Sequence, residues 1–595
     1  MTRIDELLSQ ALKGVAASPG IAIGKAHHVQ RTRTEVVYQE IIGPGQVVRQ
    51  LHRLEVAVTG AEEEIKVVKA RVERELPAHL YLIEAHLMIL RDEMFYHQAK
   101  HLIEEQMINA EWAVVSAVKA VADKFALIED PYLKGRIQDV EAVAERVLRL
   151  LAGQNQDDLE RIRERAILIA RDLSPVDTTQ IDLDRVMGFV NEVGGRTSHT
   201  AIIAQSLEIP AVVGLENALE RIPSGSLIIV DGNAGEVLVS PDEATLREYH
   251  IRQERYQEYT FEVERTGHLP ARTVDGHQIV VLANIEQPEE GASALAHGAE
   301  GIGLFRTEFP YLSQERLPTE EELYESYRQL VEIMDGRPAT IRTLDLGGDK
   351  FAHTLDLATE MNPAMGLRAV RFCLRRPDIF KTQLRAILRA SALGRVRVMF
   401  PMISGISEIV SCRRILSECQ DEIRAQGRPF DPQIEVGCMI EIPSAVFICD
   451  LLARHVDFFS IGTNDLIQYS LAIDRVNEYV AHMYQPFHPA LLRMVKSVIE
   501  TAAREGIPLA MCGEMAAEPG AVPLLLGMGL SEFSVNPLSA PKVKQLARLV
   551  SLDDCRRLAA QALTFETTSE VRDFINRELN QRFPQTFAPD GRMLY

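Results

Sequence analysis

Between residues 279 and 536 the chain alternates a short apolar run with an amphipathic stretch eight times, and no other feature narrows its possible folds so far. The runs fall at 279–285, 301–305, 339–345, 396–402, 434–441, 456–462, 508–513 and 532–536. They are of strand length, and helical spacing follows each one. Eight strand–helix units over roughly 300 residues predict a (β/α)8 barrel. Binding and chemistry in such barrels gather where the strands run out at their C-terminal ends, so those ends can be read as a set. Strand two closes on Arg306, strand three on Arg342 and strand five on Glu441. Strand six closes on Asn464 and Asp465, with Arg475 a few residues on, and strand seven on Cys512. Any one arginine could be a structural salt-bridge partner, and Cys512 could be an inert core thiol. Three arginines, two carboxylates and a thiol converging on one mouth are hard to explain by structure alone.

A second stretch, Glu192-Val193-Gly194-Gly195-Arg196-Thr197-Ser198-His199-Thr200-Ala201, follows the strand-like run Val186–Val190. Gly194 and Gly195 permit a tight, left-handed turn. Thr197 and Ser198 are candidate N-caps, and Ala201 to Leu207 carries apolar residues at helical spacing. His199 is thus expected at the first turn of a helix, where unpaired N–H groups and the helix dipole favour an anion. That position suits a nucleophile that accepts a phosphoryl group; a capping histidine is the plainer alternative.

The remaining N-terminal pattern is mixed. Residues 1–33 and 155–240 read as one α/β domain that carries His199. Residues 34–154 read as four inserted helices, with seams such as Leu54, Val58, Ala61, Ile65 and Val68, and Val140, Ala144, Val147 and Leu151. Residues 241–270 are mostly polar and read as an exposed connecting helix, which predicts relative motion of the parts on either side. The barrel is expected over 271–575, with a tail at 576–595.

Composition narrows the class. A formal net charge of −21 over 595 residues argues against nonspecific nucleic-acid binding. Seven cysteines without a Cys-x-x-Cys pair form neither a disulfide framework nor a zinc site. The N-terminus lacks a signal-peptide core and no long apolar run occurs, so a cytoplasmic protein without membrane insertion is expected.

Gly194-Gly195-Arg196-Thr197-Ser198-His199-Thr200-Ala201-Ile202, followed by Ile209–Gly214, resembles the phosphohistidine signature of the phosphoenolpyruvate-utilising enzymes. Leu304–Phe309, Arg342–Lys350, Phe458–Leu466 and Met511–Glu514 resemble the Enzyme I branch of that family, and the likeness runs from about residue 13 to 575. The resemblance implies a swivelling phosphohistidine α/β domain with an inserted four-helix domain, followed by a TIM barrel. It implies that phosphoenolpyruvate phosphorylates His199, which passes the group to a histidine of the small carrier HPr, with release of pyruvate. Guanidinium forks hold carboxylate and phosphate oxygens bidentately, which suits Arg306, Arg342 and Arg475, with Arg368 a weaker candidate and Asn464 a neutral donor. Glu441 and Asp465 are hard oxygen ligands for Mg2+. Cys512 is the expected proton donor to enolpyruvate, and Thr178 matches a family threonine near the imidazole. A homodimer through the barrel is implied. His86, Ile89, Glu93 and Phe95 fit the family's carrier-docking face, although Pro77 and Ala78 stand where an acidic pair is familiar. The alternative is the nitrogen-related branch, acting on a homologue of HPr in a regulatory relay.

Overall fold

The structure, a computed structural model, describes residues 10–29, 39–75, 80–126, 131–153, 164–173, 185–194, 201, 204, 207, 209–312, 316–347, 362–474, 477, 480–584 and 587. It divides into two compact units between Glu258 and Tyr259.

The first unit holds an eight-stranded sheet. Its strands are β1 (Gln10–Lys13), β2 (Val15–Ser18), β3 (Ile21–His28), β4 (Ala166–Ala170), β5 (Val186–Asn191), β6 (Ala211–Val213), β7 (Leu227–Asp231) and β8 (Glu236–Val239). The order is β1-β8-β7-β3-β4-β5-β6-β2. Gly14 alone separates β1 from β2, yet these strands take opposite edges. Cα atoms one link apart lie about 3.8 Å from each other, so the sheet curls until its edges meet. A Cβ on Gly14 would stand 2.7 Å from Val212 Cγ1 and 2.8 Å from the Val213 carbonyl, which is why glycine occupies the join. Leu168, Phe189, Ala211 and Val213 form one apolar cluster and Ile167, Val190, Val212 and Val230 another, as the period-two alternation of strands requires.

Between β3 and β4 the chain forms α1 (Val47–Glu75), α2 (Leu80–Leu90), α3 (Gln98–Gln106), α4 (Ala110–Ala126) and α5 (Pro131–Leu151). Leu54, Val58, Ala61, Ile65 and Val68 of α1 pack with Val140, Ala144, Val147 and Leu151 of α5 in a core of their own. The second helical segment differs from the expected continuous helix. It breaks into α2 and α3 around a π-turn at Glu93–His97. The cause is local: Asp92 Oδ1 accepts the Met94 N–H at 2.7 Å and its carbonyl accepts from Tyr96, so Asp92 restarts the helix rather than continuing it.

The polar stretch after β8 is α6 (Glu243–Thr266). It is less solvated than its composition predicts, because Tyr249, Tyr259 and Val263 are buried. Within the first unit Arg252 pairs with Asp231 at 2.7 Å, and Gln253 donates to the Ile21 carbonyl at 2.8 Å.

The second unit carries β9 (Ala271–Arg272), β10 (Gln278–Ile285), β11 (Ile302–Phe305), β12 (Ala339–Arg342), β13 (Val396–Phe400), β14 (Glu435–Ile440), β15 (Phe458–Ile461), β16 (Leu509–Met511) and β17 (Glu532–Val535). β10 to β17 pair in parallel in chain order, and β10 pairs with both β11 and β17, which closes the barrel. One continuous apolar core lies between strands and surrounding helices. A smaller cluster of Leu304, Met399, Met439, Phe458 and Cys512 is separate from it, on the opposite side of the strands. No described helix is long and apolar enough to cross a membrane.

Candidate functional site at the barrel mouth

Strand ends two to seven of the barrel converge on one cluster of charge. Arg342, the last residue of β12, is buried; its Nη2 donates to Glu308 Oε1 at 3.0 Å, and its Nη1 lies 2.8 Å from Asp345 Oδ2. Its Nε is buried without a partner. Arg368 stands beside it, with Nε donating to Asp345 Oδ1 at 2.8 Å and Nη1 to Asp465 Oδ1 at 3.3 Å. Burial opposes the charge of both guanidinium groups, but Glu308 and Asp345 around Arg342, and Asp345 and Asp465 around Arg368, outweigh it and hold them protonated. Asp345 feels the same balance in reverse: burial raises its affinity for a proton, and Arg342 and Arg368 bring it below the usual carboxylate range.

Glu441, directly after β14, behaves differently. Its Oε1 accepts the Met402 N–H at 2.6 Å, while its Oε2 is buried with no partner. Burial, then the charges of Asp465 and Asp345, push its carboxyl up to about 8. Room for it exists because position 462 is glycine: a Cβ there would stand 2.6 Å from Glu441 Oε2. An unpaired oxygen among like charges is what a site for a hard divalent cation contains, and Glu441 with Asp465 has the donor chemistry for one. Among the described residues no cluster of three or more ligating side chains accompanies them.

Asp465 and Asn464 lie in the first turn of the helix Thr463–Leu471. Asn464 is tied to strand seven, with Nδ2 donating to Glu514 Oε1 at 3.0 Å and Oδ1 accepting the Glu514 N–H at 3.0 Å. Tyr484 donates to the same oxygen at 3.1 Å. Cys512 follows β16 directly; it is buried against Leu304, Met399, Met439 and Phe458, and its Sγ lies 3.7 Å from the Ile461 carbonyl. Burial pushes its thiol up to about 11, so the proton stays on sulfur at neutral pH. Arg306 is not part of the charged knot. It is exposed and its Nη1 pairs with Glu286 Oε1 at 2.6 Å. Arg475 lies outside the described residues.

Three further side chains shape this mouth and had no assigned role in the sequence reading. Glu308 accepts from Arg342 and from the Asp345 N–H at 2.9 Å. Asp345 joins Arg342 and Arg368. Asn284, near the end of β10, donates to the Cys512 carbonyl at 2.9 Å and accepts from Ser534 Oγ at 2.6 Å, which holds the backbone at Cys512. A search for carboxylates at neighbouring strand ends to match the arginines would have found the first two.

His199 and Thr178 lie outside the described residues. The flanks of the histidine stretch match the expectation: Gly194 has φ +117°, and Ala201 and Ala204 are buried against Leu168 and Phe189. In the helical insert, the assigned docking residues need correction. His86 and Phe95 are buried and present no open surface, while Ile89 is partly buried against the helical core. The family likeness placed them on a docking face, whereas burial puts His86 and Phe95 on the core side of the helices. Exposed apolar side chains nearby are Val56, Val67, Met88 and Met94, and the side chain of Glu93 is outside the description.

Comparison with known proteins gives a consistent result along the chain. Residues 261–552 match the family described as PEP-utilising enzyme, PEP-binding domain. Residues 13–136 match its N-terminal family and 162–235 its mobile domain. The phosphoenolpyruvate-protein phosphotransferase of Priestia megaterium is 42% identical over 96% of this chain and 99% of its own length. That of Geobacillus stearothermophilus is 42% identical over 96% and 98%, and that of Haemophilus influenzae 41% over 96% and 99%.

Proposed function

The chain belongs to the PEP-utilising enzyme family, within its phosphoenolpyruvate-protein phosphotransferases, and from that we propose that it transfers the phosphoryl group of phosphoenolpyruvate to His199 and then to a histidine of HPr, releasing pyruvate. The observation that carries this reading is the charged knot of Arg342, Arg368, Asp345, Asp465 and Glu441 at the barrel mouth, with the protonated Cys512 thiol beside it. Phosphoenolpyruvate has a phosphate and a carboxylate. Arg342, Arg306 and Arg475 are assigned to its oxygens, with Asn464 as a neutral donor. The family works with a divalent metal ion, and here Mg2+ is assigned to Glu441 and Asp465; when bound it supplies positive charge against the substrate's oxygens. The unpartnered Glu441 Oε2 supports that assignment.

Phosphoryl transfer asks little covalent chemistry of the protein and much positioning and charge. The arginines orient the substrate for in-line attack by His199. As the phosphoryl group leaves, the enolate of pyruvate remains, and the Cys512 thiol gives a proton to its methylene carbon. Residues 1–33 with 155–240, 34–154 and 271–575 are read as the histidine, carrier-docking and substrate domains. The matching of 162–235 to a mobile domain supports His199 moving between donor and acceptor. A cytoplasmic homodimer is part of the reading, and the exposed Phe447 on the outside of the barrel offers an apolar contact for a second copy. Transfer of label from [32P]phosphoenolpyruvate to the purified protein, and onward when HPr is added, tests the function. A well-folded protein that takes no label with Mg2+ present would overturn it.

A further inference from the structure

A thiol that gives up its proton in every turnover must recover one, and Cys512 is buried. Side chains two apart on a strand share a face, so Ser460 of β15 points the same way as Phe458, which packs with Cys512 in the small cluster within the barrel. Ser460 is almost completely buried, and its hydroxyl makes no hydrogen bond of good geometry. Leaving a buried hydroxyl unpaired is destabilising, so its presence needs a reason. Its ladder partner is Ala510, two residues before Cys512 on the neighbouring strand, so Ser460 and Cys512 share the inner face, and the hydroxyl favours the thiolate. Ser460 also lines a cavity of about 10 Å³, together with Thr340, Arg397 and Glu532. That is room for one water molecule at most, in a setting polar enough to hold it.

Glu532 begins β17, so it marks the N-terminal mouth of the barrel, opposite to the substrate end. It is only partly buried, and burial raises its carboxyl above the usual range while Arg397 opposes the rise. Arg397 is engaged elsewhere, with Nε 2.5 Å from Glu435 Oε2 and its guanidinium over the Phe458 ring. Glu532 therefore both reaches solvent and can exchange a proton next to the cavity.

We propose that Cys512 is reloaded with a proton from the N-terminal mouth of the barrel, through Glu532, one cavity water and the Ser460 hydroxyl. The inference rests on the reading of Cys512 as proton donor. The thiolate left after pyruvate forms takes the proton of Ser460 Oγ. Ser460 takes one from the water, the water takes one from the Glu532 carboxyl, and bulk solvent restores Glu532. No redox partner is needed, and one proton enters for each one delivered to pyruvate. Ser460 and Glu532 touch no substrate; they serve the donor.

Rapid-quench kinetics on the full-length protein with Mg2+, excess HPr and phosphoenolpyruvate separates the first turnover from later ones. In Ser460→Ala the first pyruvate per barrel draws on the proton already on Cys512, and later turnovers wait for reloading. The expected trace is a burst of one pyruvate per barrel, followed by turnover at least tenfold slower than wild type. Glu532→Gln, whose amide cannot pass a proton on, gives the same trace. Wild-type turnover in either variant overturns the relay. So does a first turnover slowed as much as later ones, because that would place the residue on the donation step itself. Cys512→Ala is the control: a wild-type first turnover there sinks the donor reading, whereas a slow Cys512→Ala beside an unaffected Ser460→Ala sinks the relay alone.

Discussion

Replacing Glu441 by glutamine tests the electrostatics of the barrel mouth. In the folded protein the Glu441 carboxyl is pushed up from 4.5 to about 8, by burial first and by Asp465 and Asp345 after it. The folded state then binds the proton more tightly than the unfolded chain, so stability is complete below about pH 4.5 and is lost as the pH rises toward 8. At about 1.4 kcal/mol per pH unit, the loss is on the order of 3–5 kcal/mol by pH 8. Glutamine keeps an oxygen to accept the Met402 N–H but carries no charge at any pH. In the presence of a chelator the barrel of Glu441→Gln should therefore be insensitive to this window and outlast wild type at pH 8. The gain in its unfolding temperature should be on the order of 6–10 °C. Calorimetry at pH 5 and pH 8 measures it. Adding Mg2+ at pH 8 should restore the wild-type barrel and have little effect on the variant. Parallel shifts of the two proteins between pH 5 and 8 would show that Glu441 holds no costly charge, and the cation site would lose its main support.

Other perturbations separate the remaining roles. His199→Ala should take no label from phosphoenolpyruvate while binding it nearly unchanged in calorimetric titration, since its assigned anchors lie on the barrel. Arg368→Ala leaves Asp345 and Asp465 facing each other without their shared partner and should destabilise the barrel by about 3 kcal/mol in denaturant unfolding at neutral pH. A fragment ending near Gly267 keeps the sheet of β1–β8 and the helical core. It should fold, exchange label with phosphorylated HPr, and take none from phosphoenolpyruvate at any Mg2+ concentration.

The barrel was legible because each strand is a short apolar run bounded by helical spacing, and the eight observed strands start within two residues of the expected ones. From the third strand on, their ends were read too long. The run at 339–345 leaves the ladder after Arg342, although Leu344 is apolar and buried. The N–H of Leu344 goes to Gln383 Oε1 and that of Asp345 to Glu308 Oε1, so side chains from elsewhere take the bonds a longer strand would have used. A similar substitution by Asp92 split the second inserted segment. Apolar spacing records which face is covered but not which backbone groups find partners off the ladder.

The same limit explains how much of the mouth could be read. Residue type and strand-end position brought Arg342, Glu441, Asn464, Asp465 and Cys512 to one end of the barrel. They could not reveal that Arg368 bridges Asp345 and Asp465, because those partners are 23 and 97 residues away and meet only when the barrel closes. That bridge changes the chemistry inferred from composition alone. Three arginines suggest an open positive pocket, but the guanidinium groups of Arg342 and Arg368 are already paired with Glu308, Asp345 and Asp465. An anionic substrate has to compete with these carboxylates for the same N–H groups. A cation held by Glu441 and Asp465 would draw Asp465 away from Arg368 and leave that guanidinium to the substrate. The metal and the anion would then favour each other's binding through one shared carboxylate, a coupling that follows from the pairing geometry and that no count of charges along the chain could express.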